Sequence, residues 1–227
     1  KKKWTVVELF AGSGGLALGF EKAGLKCLFA NDIDRDSCET LKKNRPKWNI
    51  LHKDIHKIND GEFKKLKSAD VVSGGFPCQA FSYAGKKLGF KDTRGTLFYE
   101  FARAVKIIKP KICLAENVRG LISHDGGKTL KTIINIMEEI GYKVIAPQVC
   151  QSIFYEVPQK RERLFLIGIK KGSGLKFNYP NKISEPYTVK DALKKGRLYK
   201  TNVPNSEYQK YTKRKQQIMR KVPPGGN

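Results

Sequence analysis

The chain has 227 residues, long enough for one substantial α/β domain with an appendage and too short for two domains with large separate cores. Hydrophobic residues make up 40% of it, and no apolar run could span a bilayer or serve as a signal-peptide core after Lys1-Lys2-Lys3, so a soluble, cytoplasmic protein is expected. Lys and Arg number 45 against 21 Asp and Glu, a net charge of +24 that favours a polyanionic partner, nucleic acid first, though charge alone fits a lysine-biased surface about as well.

Apolar runs of strand length alternate with helical patterns through the first two thirds, the βαβ signature of a mostly parallel sheet. Strands are predicted near Thr5–Phe10, Lys26–Asn31, Ile50–His52, Asp70–Ser73 and Ile112–Ala115. Helices are predicted near Gly14–Ala23, Asp36–Asn44, Glu62–Lys67, Thr96–Lys109 and Lys128–Ile140, with Gly24 and Gly141 at C-cap positions and Pro110 ending the fourth. Two further strand-like runs, Lys143–Cys150 and Leu164–Ile169, stand too close for a crossover helix and are expected to pair antiparallel. Beyond Lys170 periodicity fades, and from there to Asn227 there are 15 basic residues against three acidic ones, half of the net charge.

The first strand runs into Ala11-Gly12-Ser13-Gly14-Gly15 and then a helix, so the backbone can turn tightly and bring a helix N-terminus against a ligand. Asp32, 20 residues after Gly12 and at the tip of the second strand, is placed to accept hydrogen bonds from ribose hydroxyls. Asp54, just after the third, is a candidate acceptor for an adenine amino group. Gly12-x-Gly14-x-x-Ala17 also satisfies a dinucleotide fingerprint, so this segment fits a nicotinamide cofactor as well as a methyl donor.

The fourth strand ends in Gly74-Gly75-Phe76-Pro77-Cys78-Gln79, which puts a thiol on a proline-stiffened turn at the carboxyl edge of the sheet. The fifth ends in Ala115-Glu116-Asn117-Val118, bringing an acid to the same edge. A thiol and a carboxyl delivered to one crevice suit nucleophilic catalysis with proton donation. Cys27, Cys38, Cys113 and Cys150 read as small buried hydrophobes, reduced and unpaired. His52, His56 and His124 read as ordinary loop or surface residues, and no metal site is expected.

In order, the chain carries Glu8-Leu-Phe-Ala-Gly-Ser-Gly-Gly15, Asn31-Asp-Ile-Asp34, Lys53-Asp-Ile55, Gly75-Phe-Pro-Cys-Gln-Ala-Phe-Ser82, Asp92-Thr-Arg-Gly-Thr-Leu-Phe98, Glu116-Asn-Val118 and Pro158-Gln-Lys-Arg-Glu-Arg163. With these it resembles the DNA (cytosine-5) methyltransferases of bacterial restriction-modification systems over roughly its first three quarters. The resemblance implies an α/β, Rossmann-like AdoMet-dependent methyltransferase fold, mostly parallel with an antiparallel strand pair near the end. It implies S-adenosyl-L-methionine as methyl donor, S-adenosyl-L-homocysteine as product and double-stranded DNA as partner.

Cys78 is then the nucleophile that adds to cytosine C6, Glu116 the group that meets N3, Arg163 the group that holds the base carbonyl and Arg161 a support for the cysteine loop. Cofactor contacts fall on Phe10, Gly12, Gly14, Asp32, Ile33, Asp54, Ile55, Pro77 and Leu97. The stretch from Ala80 to Phe90 is similar to the family's loop that closes over flipped DNA, with Ser82, Lys86 and Lys87 as phosphate contacts. Residues 1–170 would form the catalytic domain and 171–227 a basic linker or the start of a target-recognition lobe. The rest of that lobe is expected in a longer polypeptide or on a second subunit.

Two departures from the family pattern stand out. Glu156 occupies a place where many members have glycine, and would be strained at positive φ. Ile33 is smaller than the apolar residue often found there. Three alternatives stay open: the same chemistry on transfer RNA, a non-catalytic DNA-binding subunit of the same fold, and a nicotinamide oxidoreductase.

Overall fold

The computed structural model describes residues 3–77, 96–193 and 211–222, and the chain divides into two compact units. The first comprises residues 1–151 with 161–181, and the second 152–160 with 182–227.

The first unit is a sheet with helices. Its elements in chain order are β1 (Thr5–Leu9), α1 (Gly15–Lys22), β2 (Lys26–Asp32), α2 (Arg35–Asn44), β3 (Ile50–His52), α3 (Asp60–Lys64), β4 (Val71–Gly74), α4 (Leu97–Ile108), β5 (Ile112–Val118), α5 (Lys128–Glu139), β6 (Tyr142–Val144), β7 (Gln148–Gln151) and β8 (Glu162–Lys170). The strand order is β3-β2-β1-β4-β5-β8-β6, with β7 also on β8. Strands β1 to β5 run parallel, whereas β8 is antiparallel to β5, β6 and β7. The expected α/β class, mostly parallel with an antiparallel end, is the class observed.

Strands β1 and β4 are buried along nearly their whole length rather than at alternate residues, because both faces of the sheet are covered. One face carries the main core, in which Phe63, Phe76, Phe98, Phe101, Ile133 and Leu166 meet. The other carries a smaller cluster around Val6, Ala30, Leu41 and Val71. The chain steps outward from β1 through β2 to β3 and then returns to lay β4 on the other side of β1. That reversal opens a crevice beyond the carboxyl ends of β1 and β4, where open α/β sheets bind ligands.

Two differences from the predicted elements have physical reasons. The run 143–150 is not one strand: after Ile145 donates to Ile167 O at 2.9 Å, Pro147 has no N–H to continue the ladder, so β6 and β7 pair separately with the two ends of β8. Strand β5 continues past Ala115 to Val118, because β8 extends the ladder as far as the pair Val118 and Arg163. Glu116 therefore sits within a strand, not on the loop after it.

Among the described residues the second unit has the helices α6 (Val189–Leu193) and α7 (Lys213–Arg220) in the stretch where periodicity fades. Ile183 N donates to Phe154 O at 3.0 Å, and the Lys182 ammonium lies 5.4 Å from the Phe154 ring centre. Thr212 caps α7 by accepting from Lys215 N, and every residue of this helix is exposed. Among the described residues no helix is long and apolar enough to cross a membrane.

Candidate active site

The glycine turn after β1 is set by backbone geometry that few residues tolerate. Phe10 and Gly12 lie in the left-handed region at φ 56 and 51, and Gly14, at φ 90, is the N-cap of α1. A Cβ on Gly14 would collide with Leu41 Cδ1, so position 14 requires glycine twice over. Ala11 N donates to Asn31 O at 2.9 Å, and Gly12 N donates to Asp32 Oδ2 at 2.7 Å. Asp32 Oδ1 accepts from Asp34 N at 2.8 Å. The carboxylate expected to take ribose hydroxyls thus also braces the turn, and its remaining lone pairs are what it offers a ligand.

Around this turn the other expected cofactor contacts take different positions. Ile33, just beyond β2, is 66% exposed, and its carbonyl is bonded to His52 Nε2 at 3.0 Å. Asp54 opens a 3-10 turn at Ile55–Lys57, and Ile55 is only 3% exposed, its side chain in the main core. At that position the backbone, not the side chain, can face a ligand. Hydrogen bonds from the His56 backbone N–H and imidazole hold the Asp54 carboxyl below its usual range. Asn31 Nδ2 donates to Leu51 O at 3.0 Å and Lys53 O at 2.8 Å, fixing the tips of β2 and β3 together. Two acceptors, an exposed apolar side chain and a helix N-terminus fit an adenosyl group with a charged tail. Among the described residues no three His, Cys, Asp or Glu side chains are grouped to hold a metal ion.

The turn after β4 is pinned on three sides. A Cβ on Gly74 would lie 3.0 Å from Leu9 O, and one on Gly75 3.1 Å from Glu116 Oε2, so both strand ends press close against this segment. The Phe76 ring is buried against Phe98 and Phe101, with centroids 5.3 and 5.7 Å away. Asn117 Nδ2 donates to Phe76 O at 2.8 Å, and its Oδ1 accepts from Val118 N at 2.9 Å. Pro77 follows, exposed. Cys78, Ser82, Lys86 and Lys87 lie outside the described residues. Leu97 is the first residue of α4, half-buried against the core, and Thr96 caps the helix by accepting from Tyr99 N at 3.1 Å.

Glu116 and Arg163 are brought together by strand register. Val118 lies opposite Arg163, and Glu116, two residues back, shares that face, so a long side chain on β8 reaches it diagonally. Arg163 Nε stands 2.8 Å from Glu116 Oε1, with the two side chains 24% and 20% exposed. Arg163 Nη1 also donates to Glu162 O at 2.8 Å. Arg161, one residue before β8, is exposed.

Three contributors are not visible as such in the sequence. Glu8, in the middle of β1, is 1% exposed and accepts a hydrogen bond from Ser73 Oγ on β4. Burial pushes its carboxyl up to about 8, against the pull of that hydrogen bond and with a further push from Glu116. An acid in the run Val6-Val7-Glu8-Leu9 was the available signal. Asn117 and Asn31, buried amides that tie strand ends together, are the other two. Of the remaining cysteines, burial pushes Cys27 up to about 12 and raises Cys113 and Cys38, so these are unreactive packing thiols.

The profile of the C-5 cytosine-specific DNA methylase family matches residues 4–224. The chain is 56% identical to the Type II methyltransferase M.Eco47II of Escherichia coli over 98% of its own length and 54% of that protein's. It is 45% identical to the Type II methyltransferase M.Sau96I of Staphylococcus aureus, over 99% and 52%. Among solved structures, one described as a DNA modification methyltransferase encoded within an E. coli prophage superposes with a TM-score of 0.70 at 30% identity, over 84% of this chain and 54% of that one. The chain thus spans about half the length of the curated relatives it matches. On the profile, the identities and the shared fold, the chain belongs to the C-5 cytosine-specific DNA methylase family.

Proposed function

We propose that this chain carries the catalytic machinery of a methyltransferase that modifies C5 of cytosine in double-stranded DNA, with S-adenosyl-L-methionine as donor. The observation that supports it most is the Glu116–Arg163 pair at the carboxyl edge, beside the pinned β4 turn that leads into Cys78. An acid and a guanidinium on one face match the N3 and O2 edge of a pyrimidine. Hydride transfer to a nicotinamide has no use for them.

In this reading Phe10, Gly12 and Gly14 receive the charged tail of the donor, Asp32 the ribose hydroxyls, and Ile33, Asp54 and Ile55 the adenine. Pro77 and Leu97 would line the methyl end of the donor. When bound, the donor supplies a sulfonium methyl electrophilic enough for an activated carbon. The chain's task is to make that carbon. The Cys78 thiolate adds to C6, Glu116 meets N3 as negative charge moves there, and Arg163 holds the ring carbonyl. C5 becomes the nucleophilic end of an enamine, to which the donor's methyl would pass with S-adenosyl-L-homocysteine as the leaving group. Loss of the C5 proton to a base then expels Cys78 and restores the ring. Arg161 supports the cysteine loop, and a nearby guanidinium favours thiolate over thiol.

Addition above and below the ring cannot occur inside a base stack, so the cytosine must be flipped out, with Ser82, Lys86 and Lys87 meeting phosphates. The relatives named above are Type II methyltransferases, and protection of host DNA from a cognate endonuclease is the corresponding role.

The test uses the complete protein. A duplex carrying 5-fluorocytosine, whose C5 substituent cannot leave as a proton, should trap a covalent complex in the presence of donor, with the adduct mapped to Cys78 by mass spectrometry. Cys78→Ser should lower methyl transfer by at least about 10⁴-fold while duplex and donor still bind. Absence of a trapped complex, or a Ser variant with wild-type turnover, rejects the mechanism.

A further inference from the structure

Arg103, on α4, is a heavily engaged cation, and neither carboxylate that it meets, on Glu100 or on Asp60, belongs to an expected cofactor contact. Its own side chain is 17% exposed. Nε donates to Glu100 Oε2 at 2.8 Å, Nη2 stands 2.6 Å from the same oxygen, and Nη1 meets Asp60 Oδ1 at 2.5 Å. Nη2 also donates to Ile58 O at 2.7 Å and, at the edge of bonding distance, to Ile55 O at 3.5 Å. The guanidinium carbon lies 4.9 Å from the centre of the buried Phe63 ring.

Those two carbonyls bracket the 3-10 turn that Asp54 opens. The buried side chains of Ile55 and Ile58 anchor that turn to the core, but its polar backbone has few internal bonds. It spans three residues, with Lys57 N donating to Asp54 O at 2.9 Å and Ile58 N to Ile55 O at 3.1 Å. Short 3-10 turns are weak on their own, so their orientation comes from outside contacts. Arg103 supplies such contacts from a helix whose first residue, Leu97, lies six residues away, roughly 9 Å along the axis. The guanidinium therefore ties the Asp54 turn to the helix that starts at Leu97. Lysine could not do the same: a planar fork with five donors spans two carboxylates and a carbonyl at once, and a single ammonium does not.

We propose that Arg103 is a positioning residue for cofactor binding: it touches no ligand, but fixes the Asp54 carboxylate at the adenine side relative to Leu97 at the methyl side. The inference rests on the proposed donor pocket, in which Asp54 and Leu97 are contacts.

The experiment measures S-adenosyl-L-homocysteine affinity by calorimetry for the complete protein and for Arg103→Lys, Asp54→Asn and the double variant. Arg103→Lys should raise Kd about tenfold, as loss of an outer-layer partner does at bound ions, with the fold retained by circular dichroism. In the Asp54→Asn background the same change should have less than about a threefold effect, because the group it positions is already gone. A merely structural arginine would give the full loss in both backgrounds. That additive result, or a wild-type Kd for Arg103→Lys, overturns the proposal. If Arg103→Lys does not fold, the triple change Arg103→Gln, Glu100→Gln, Asp60→Asn removes the stranded acids and is read against the same criteria. Failure of the unaltered protein to bind S-adenosyl-L-homocysteine rejects the donor pocket itself, and the inference with it.

Discussion

Glu8 shows how one side chain can make a fold sensitive to pH. Its carboxyl lies in the sheet between β1 and β4, with Ser73 as hydrogen-bond donor and Glu116 close enough to be felt electrostatically. Its folded value of about 8 lies above the 4.5 of a free glutamate, so near neutrality the native chain holds a proton that the unfolded chain has released. The stability this represents is fully present below about 4.5 and is lost as pH rises towards 8, at about 1.4 kcal/mol per pH unit. Glu8→Gln keeps the shape and cannot ionise. Urea unfolding at pH 4 and pH 8 should give nearly equal stabilities for the two proteins at the lower pH and a clear advantage for the variant at the higher. Parallel profiles would show that Glu8 is already ionised in the native state. A neutral Glu8 also spares Glu116 a second negative charge. The run Val6-Val7-Glu8-Leu9 shows an acid among apolar residues but not the depth of its burial, which depends on the strands that flank β1. Gly14 and Glu116 are legible, because a strand-glycine-helix junction and a strand-end acid carry their geometry locally.

At the level of elements, sequence reading works where periodicity and punctuation agree and fails where tertiary contacts decide. The helices from α1 to α5 begin and end close to their predicted positions, because Asp34, Asn59 and Thr96 cap three of them and Pro110 bars a further turn of α4. The split of β6 from β7 was written in Pro147, and the end of the fifth strand in the run Ala115-Glu116-Asn117-Val118, but that this run stays in the ladder as far as Val118 depends on its pairing with β8. The basic α7 has no apolar stripe facing a core, and Thr212 is its one clear local signal. Glu156 is a case in which the sequence raised the right question. It does adopt φ 62, in a turn of the second unit. A side chain there costs about 1–2 kcal/mol, offset in part by the extra freedom glycine has when unfolded. Glu156→Gly should therefore gain up to about 1 kcal/mol, and Glu156→Val should lose about as much, since branching at Cβ worsens the clash. Urea midpoints for the three proteins should follow the order glycine, glutamate, valine. Equal stability of the glycine and valine variants would mean that the turn relaxes out of the left-handed region.

At the scale of the molecule, charge is the dominant fact, and it is unevenly spread. Ile169 is the last buried apolar residue of β8, and half of the +24 lies after it, from Lys170 onward. Helix α7 alone presents Lys213, Arg214, Lys215 and Arg220, all exposed. If the polyanion is duplex DNA, each phosphate neutralised releases counterions, and the logarithm of affinity falls with the logarithm of salt by roughly 0.9 per contact. Six such contacts would weaken binding about 10³-fold between roughly 50 and 200 mM salt. Because every residue of α7 is exposed, its cations can be changed without disturbing a core. Lys213→Gln, Arg214→Gln and Lys215→Gln together should therefore reduce the slope by about 2 to 3, to a similar degree on duplexes of unrelated sequence, because backbone contacts carry no base information. Fluorescence anisotropy across a salt series would measure both slopes. An unchanged slope in the triple variant would place the DNA-facing charge elsewhere, and a loss confined to one duplex sequence would mean that α7 reads bases rather than phosphates.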